Sequence, residues 1–366
     1  VSDMLALLST ARRPVIVAGN GIRAAGAIDV LAELVSALNI PVLPTCLGLD
    51  LLPESHPLMI GRPGSLAPRG ANFALQNCDL LLCIGSRMDM ALTAYAHDRL
   101  ARGARKVMVD IDPAEIAKMK MTIDLKVVAD AGAFLREALR QVRDAAVSPA
   151  PWAEWVERCT AWKQRYPVVL PEHHQRSDYV STYAFSAVLS DVLDEGEVIA
   201  TGSSGAGIEM FILAFQVKSG QRIFHNRGLG SMGFGLPAAI GACLASGRAR
   251  TICVDGDGGF LFNIQELETV ARLRLPIKFF ILDNAGYASI RTSQNRYFGR
   301  TVGADPASGM TLPDIGRVAN AFGIQTARIA GGDDLRARIL EVLAMDGPVV
   351  CCVMTPPDEP RQPSVV

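Results

Sequence analysis

A glycine-flanked acid at the end of one apolar run, answered by an asparagine at the end of the next, confines this chain to a parallel α/β layout. Thr251-Ile252-Cys253-Val254 is apolar and partly β-branched, as a buried parallel strand should be, and it stops at Asp255-Gly256-Asp257-Gly258-Gly259. Ile264, Leu267, Val270 and Ala271 then share one face of a helix ending near Leu275-Pro276. Ile277 to Leu282 reads as the next strand and closes on Asp283-Asn284-Ala285-Gly286-Tyr287. Strand, helix, strand puts both polar tips at carboxyl ends, the edge of an open α/β sheet where ligands bind.

Asp257 decides the kind of ligand. Glycine amides at a strand end suit phosphate, which a bare carboxylate would repel, so the pair argues for a bridging cation, most simply Mg²⁺ with oxygen ligands. Asn284 can add a side-chain carbonyl and Gly286 a main-chain one. The plainer alternative is that Asp257 and Asn284 are turn formers at strand ends.

The rest of the chain repeats the pattern. Pro14 to Gly19, Leu80 to Gly85 and Lys106 to Asp112 read as strands running into turns, and a helix follows around Ala131 to Val142. Residues 143 to about 180 change character, with Pro149, Pro151 and three tryptophans before Pro171-Glu172-His173-His174, and read as a linker with one helix. A second block opens near Ser181 with a helix, continues through a strand Val198 to Thr201 and closes on Pro348 to Val353. The expected fold class is α/β with two doubly wound parallel sheets, the domains at 1–145 and 181–366 and the linker at 146–180.

Composition supports two cores: 366 residues are 49% hydrophobic, with a mean hydropathy of +0.24. A net charge of -1 gives no electrostatic reason to expect nucleic acid or an anionic membrane. Eight cysteines form no CxxC pair, and Cys253 and Cys351-Cys352 sit in apolar runs, so free thiols in a reducing, cytoplasmic setting are expected. No stretch is apolar enough to span a membrane and no signal pattern is seen, so the chain is expected to be soluble.

Gly228-Leu229-Gly230-Ser231-Met232-Gly233 formally matches GxGxxG, with Asp255 further on, so a nucleotide-dependent oxidoreductase is a competing reading. That fingerprint wants its first glycine directly after a strand and its third opening a helix. A non-catalytic subunit keeping the fold is the other competitor from a different class, and the intact Asp257 and Asn284 argue against it.

Residues 256–287, GDGGFLFNIQELETVARLRLPIKFFILDNAGY, resemble the thiamin diphosphate signature, and within that superfamily the chain is most similar to acetolactate synthase. His225 to Ala242, HNRGLGSMGFGLPAAIGA, and Val302 to Gly323, VGADPASGMTLPDIGRVANAFG, carry the same likeness, which covers essentially the whole chain. The resemblance implies a carboligase that decarboxylates a 2-keto acid, with pyruvate as donor, and transfers the acyl unit to a second carbonyl; a 2-keto acid decarboxylase is the alternative within the class. It implies Mg²⁺ on Asp257, Asn284 and Gly286, and diphosphate contacts from Gly202, Ser203, Ser204, Gly256, Gly258 and Gly259. Gly230 and Met232 would act at the catalytic end, the Gly230 carbonyl on the cofactor's amino group and Met232 beneath its thiazolium ring. Tyr287, Ala288 and Ile290 would line the cofactor and substrate, and Asp283 replaces the commoner Asn of an Asn-Asn pair.

Ser293 stands where acetolactate synthases of branched-chain biosynthesis have a Trp that selects larger acceptors, which leaves the acceptor open; the alternative is that Ser293 is a surface loop residue. Arg291 is expected to pair with a substrate carboxylate if it faces the pocket. The first block is similar to the family's central domain, which implies FAD near Gly19, Gly21, Gly85, Arg87, Asp110 and Asp130. A purely structural domain is the alternative, since many superfamily members keep it without a nucleotide and Gly64 to Gly70, GSLAPRG, departs from the acetolactate synthase pattern. The family's N-terminal, pyrimidine-binding domain has no counterpart here. It is expected from a longer polypeptide or a separate subunit, in a homo- or hetero-oligomer.

Overall fold

A computed structural model describes residues 1–144, 152–175, 178–203 and 205–365. The chain divides into two compact units, one of Val1–Val168 with the segment from Gln362 on, the other of Val169–Arg361.

In the first unit, strands β1 (Pro14–Ala18), β2 (Val42–Pro44), β3 (Leu80–Ile84), β4 (Arg105–Asp110) and β5 (Leu125–Val128) form one parallel sheet in the order β2-β1-β3-β4-β5. β1 and β3 are buried along their whole length because helices cover both faces. Alternate residues feed opposite cores. Ile16, Leu82 and Val107 face one, with Phe134 and Leu135 of the helix Ala131–Asp144; Val15, Val17, Leu81 and Met108 face the other.

The tryptophans of the expected linker belong to this unit. Trp152 Nε1 donates to the Ala11 carbonyl at 2.9 Å and Trp155 Nε1 to that of Pro14 at 3.1 Å. Trp155 packs edge-on against Trp162, which meets Phe73 in the same way. The helix Ala153–Arg165 is thereby fixed on the first sheet, and the division between units falls after Val168.

In the second unit, β6 (Val198–Thr201), β7 (Arg222–Phe224), β8 (Thr251–Gly256), β9 (Ile277–Asp283), β10 (Gln325–Ile329) and β11 (Val349–Met354) form a parallel sheet in the order β10-β11-β9-β8-β6-β7. β8 and β9 are its interior, and full burial of residues such as Phe279 and Ile281 contributes roughly 1.5–3 kcal/mol each. The expected helix between them is broken into one α-helical turn at Asp257–Phe260, a 3₁₀ stretch at Leu261–Glu266 and an α-helix at Leu267–Leu273. The chain leaves β6 for β7 on one side and returns to β8 on the other. This reversal of strand order opens a crevice at the carboxyl ends of β6 and β8, where ligands of open α/β sheets bind.

Candidate functional site

Three strand ends meet at that crevice: Gly202-Ser203 after β6, Gly256 to Gly259 after β8, and Asn284 to Tyr287 after β9. Asp257 joins the last two. One carboxylate oxygen accepts the Gly258 amide and the other the Gly286 amide, both at 2.8 Å. Asp257 is buried, which pushes its carboxyl up to about 7 from 3.8; the two amides pull it down and the neighbouring Asp283 carboxylate raises it further. A cation beside it would favour the ionised form.

Three buried oxygens at this junction lack a hydrogen-bond partner among the described residues: Asn284 Oδ1, Ser203 Oγ and Oδ2 of Asp255. Leaving such groups unmade costs about 1–3 kcal/mol each, so a native chain is expected to use them for something the ligand-free protein does not contain. Among the described residues no three His, Cys, Asp or Glu side chains gather as a metal cluster. The donors on offer include the Asp257 carboxylate, the Asn284 amide oxygen, the Ser203 hydroxyl and main-chain groups, a set suited to a hard cation whose shell is completed by ligand oxygens.

Backbone geometry dictates the glycines. Gly286 has φ of +128°, which residues with a side chain rarely adopt, and a Cβ there would lie 2.5 Å from the Ala304 carbonyl oxygen. A Cβ on Gly258 would lie 2.3 Å from Cε1 of Tyr287, whose ring lies across the Asp257 turn. Sequence reasoning missed a third close approach. The carboxylate of Asp255, at the end of β8, is buried and accepts the Gly256 amide at 2.8 Å. Added methyls on Gly202, Gly235 and Gly259 would come within 2.2, 2.4 and 2.9 Å of its oxygens. Burial pushes this acid up to about 7 as well. Its signal was the polar end of an otherwise apolar strand.

The loop carrying Gly230 and Met232 runs from β7 to the helix Gly235–Ala245. The Gly230 amide donates to the Asn226 carbonyl at 2.9 Å, and Arg227 pairs with Glu209. Met232 is 38% exposed and Leu229 83%, so neither is a core residue. This loop does not have the dinucleotide layout: β7 ends at Phe224, before the first glycine at 228, and the helix opens at Gly235, after the third at 233. Asp255, enclosed by its glycines, is not free to take a ribose.

Ala288 is buried at the start of the helix Ala288–Phe298, Ile290 is 40% exposed, and Ser293 is exposed further along. Ser204 lies outside the described residues. Arg291 differs from expectation. Its buried guanidinium is taken up by main-chain carbonyls of the surrounding loops, which leaves it no face for a substrate carboxylate. A cavity of about 630 Å³ opens on the β9, β11 and β10 side, with Asp283, Arg317, Arg328 and Cys352 in its wall. It meets the site at Asp257 and Ala285; Ser203 and Asn284 are not in its wall.

In the first unit the corresponding reversal of strand order lies between β1 and β3. Gly19 and Gly21 abut Gly85 there, with room for no Cβ between the two turns. Asn20 Oδ1, between the first two glycines, is buried without a partner among the described residues. Asp110 accepts the Asp112 amide, Asp130 accepts the Ala133 amide at the start of its helix, and Arg87 is exposed.

Comparison with known proteins agrees with both units. Residues 1–138 match the profile of the thiamine pyrophosphate enzyme central domain, and residues 203–353 that of the thiamine pyrophosphate enzyme C-terminal TPP binding domain. The chain is 31% identical over 356 residues to a probable acetolactate synthase large subunit of Methanococcus aeolicus, covering 95% of this chain and 59% of that protein. It is 32% identical over 356 residues to the acetolactate synthase isozyme 2 large subunit of Escherichia coli, covering 93% of this chain and 60% of that one. The chain thus spans about three-fifths of the length of these relatives. It belongs to the thiamine pyrophosphate enzymes, of which it carries the central domain and the C-terminal TPP-binding domain.

Proposed function

We propose that the chain is the central and diphosphate-binding part of a thiamin diphosphate- and Mg²⁺-dependent carboligase of the acetolactate synthase kind. It would decarboxylate a 2-keto acid, with pyruvate as donor, and join the acyl unit to a second carbonyl. The observation that carries this reading is the partnerless buried Asn284 Oδ1, on a loop that the Gly286 amide ties to Asp257 at the end of β8, with a second partnerless oxygen, Ser203 Oγ, at the end of β6.

Asp257, Asn284 and the Gly286 carbonyl would hold the cation, and Gly202, Ser203, Ser204, Gly256, Gly258 and Gly259 the diphosphate oxygens. The Gly230 carbonyl would accept from the amino group of the aminopyrimidine, and Met232 would pack against the cofactor. Tyr287, Ala288 and Ile290 would keep water from the reacting end. When bound, thiamin diphosphate would supply the nucleophilic carbon and the electron sink that decarboxylation of a 2-keto acid requires. Ser293, in place of a bulky Trp, leaves room for an acceptor larger or more polar than a simple keto acid.

Activity would also require the pyrimidine-binding portion, supplied by more of the same polypeptide or by a partner in an oligomer. The partnerless Asn20 Oδ1 between Gly19 and Gly21 supports FAD at the first unit's crevice, with Gly85, Arg87, Asp110 and Asp130 around it. A cytoplasmic setting fits the eight free cysteines; among the described residues no helix is long and apolar enough to cross a membrane.

The test is product analysis from pyruvate with thiamin diphosphate, Mg²⁺ and a pyrimidine-binding partner. A hydroxy keto acid supports ligation and acetaldehyde alone supports the decarboxylase alternative. No release of carbon dioxide, together with no binding of thiamin diphosphate, removes the proposal.

A further inference from the structure

Arg291 sits one turn into the helix that follows the Asn284–Gly286 loop, and its side chain is buried. Nη2 donates to the carbonyls of Asn284 at 2.9 Å and Pro357 at 2.5 Å, and Nη1 to those of Ala285 at 3.3 Å and Ala304 at 3.4 Å. Nε lies 3.8 Å from the Asp305 carboxylate. A guanidinium has five N–H donors in a fixed planar fork, and here five acceptors from three chain segments surround it. Asp305 is itself fixed, since one of its oxygens accepts both the amide and the hydroxyl of Ser308 at 2.8 and 2.6 Å.

The loop after β9 is therefore held from two sides. The Gly286 amide is tied to Asp257, and Tyr287 N donates to the Ala304 carbonyl at 2.8 Å. On the other side the carbonyls of Asn284 and Ala285 lie in the Arg291 fork, which removes them from competition for a cation. The oxygens left to the proposed ligand set are Asn284 Oδ1, buried without a partner among the described residues, and the Gly286 carbonyl.

We propose that Arg291 is a positioning residue for the cation that Asp257 and Asn284 would hold: it presets the 284–286 backbone so that the loop offers those two oxygens and no others. This rests on the function proposed above, and it goes further in assigning the role to a residue that touches neither substrate nor cofactor. Groups that orient metal ligands from behind typically change metal affinity by about 10–100-fold when removed.

The experiment is a Mn²⁺ titration in the presence of thiamin diphosphate, followed by the EPR signal of free Mn²⁺, on the wild type, Arg291→Met, Arg291→Lys and Lys278→Met. Lys278 is buried at the opposite end of β9, where its ammonium donates to the Gly347 carbonyl at 2.8 Å and to that of Met345. Its loss reports general destabilisation of the same strand. Arg291→Met is expected to need at least about tenfold more Mn²⁺ for half-saturation, and Arg291→Lys an intermediate amount, since an ammonium cannot span the acceptors. Lys278→Met should stay close to the wild type even where its urea midpoint falls as far. If Arg291→Met does not fold, Arg291→Lys is read in its place. A folded Arg291 variant with the wild-type half-saturation overturns the assignment and leaves the proposed function standing. A wild type that binds no Mn²⁺ with thiamin diphosphate overturns both.

Discussion

Exchanging Asp257 for Asn isolates the cost of burying its charge. In the unfolded chain the carboxyl ionises near its ordinary 3.8, whereas in the folded, ligand-free chain burial holds it protonated up to about 7. Between these values the native state carries the extra proton, so unfolding free energy falls as pH rises, by about 1.4 kcal/mol per unit. From pH 5 to 7 that comes to about 2 kcal/mol, since the folded group is half ionised at pH 7, and the loss levels off above pH 7. Asp255, raised to a similar value, adds a second contribution of the same sign. Urea unfolding at pH 5, 6, 7 and 8, followed by far-ultraviolet circular dichroism, should show the wild type weakening across this window. Asp257→Asn should lose roughly half of that slope, leaving the part that belongs to Asp255. Adding Mg²⁺ with thiamin diphosphate should flatten the wild-type curve, because a cation holds Asp257 ionised, and should not affect the variant. A variant with the wild-type slope, or a ligand-free wild type that gains stability over this range, would refute the account of Asp257.

Asn284→Ala removes an oxygen with no partner among the described residues, so its ligand-free stability should move by no more than about 1 kcal/mol while the thermal shift produced by Mg²⁺ with thiamin diphosphate disappears. Gly258→Ala puts a methyl 2.3 Å from the Tyr287 ring and should cost about 1–3 kcal/mol in urea unfolding, together with weaker cofactor binding in calorimetry. Ser293→Trp, at an exposed helical position, should leave stability within about 0.5 kcal/mol and move product distribution toward larger keto-acid acceptors in a competition assay.

The α/β layers and the meeting of the β8 and β9 ends were legible because buried parallel strands are continuous apolar runs and their tips are glycine-rich. Asp257 and Asn284 could be named for the same reason: they are polar residues where the apolar pattern stops. The 3₁₀ stretch at Leu261–Glu266 was not legible, since an apolar spacing near 3.6 does not separate one helix from a broken one. Trp152 and Trp155 read as linker residues in a proline-rich stretch, yet their indole N–H groups find carbonyls of the first unit more than a hundred residues away. Arg291 and Asp255 eluded the sequence because their partners are backbone atoms. A carbonyl or an amide has no letter, and only coordinates show which ones a buried charge collects.

The enclosure of Asp255 has a practical consequence for protein engineering. One side chain on β8 fits only because positions 202, 235 and 259, from three separate segments, have no side chain at all. Transplanting the Asp257 turn into another scaffold would therefore fail unless all four residues travelled together. Random mutagenesis, which changes one codon at a time, would find each of the three glycines intolerant and give no hint that they answer to a single shared neighbour.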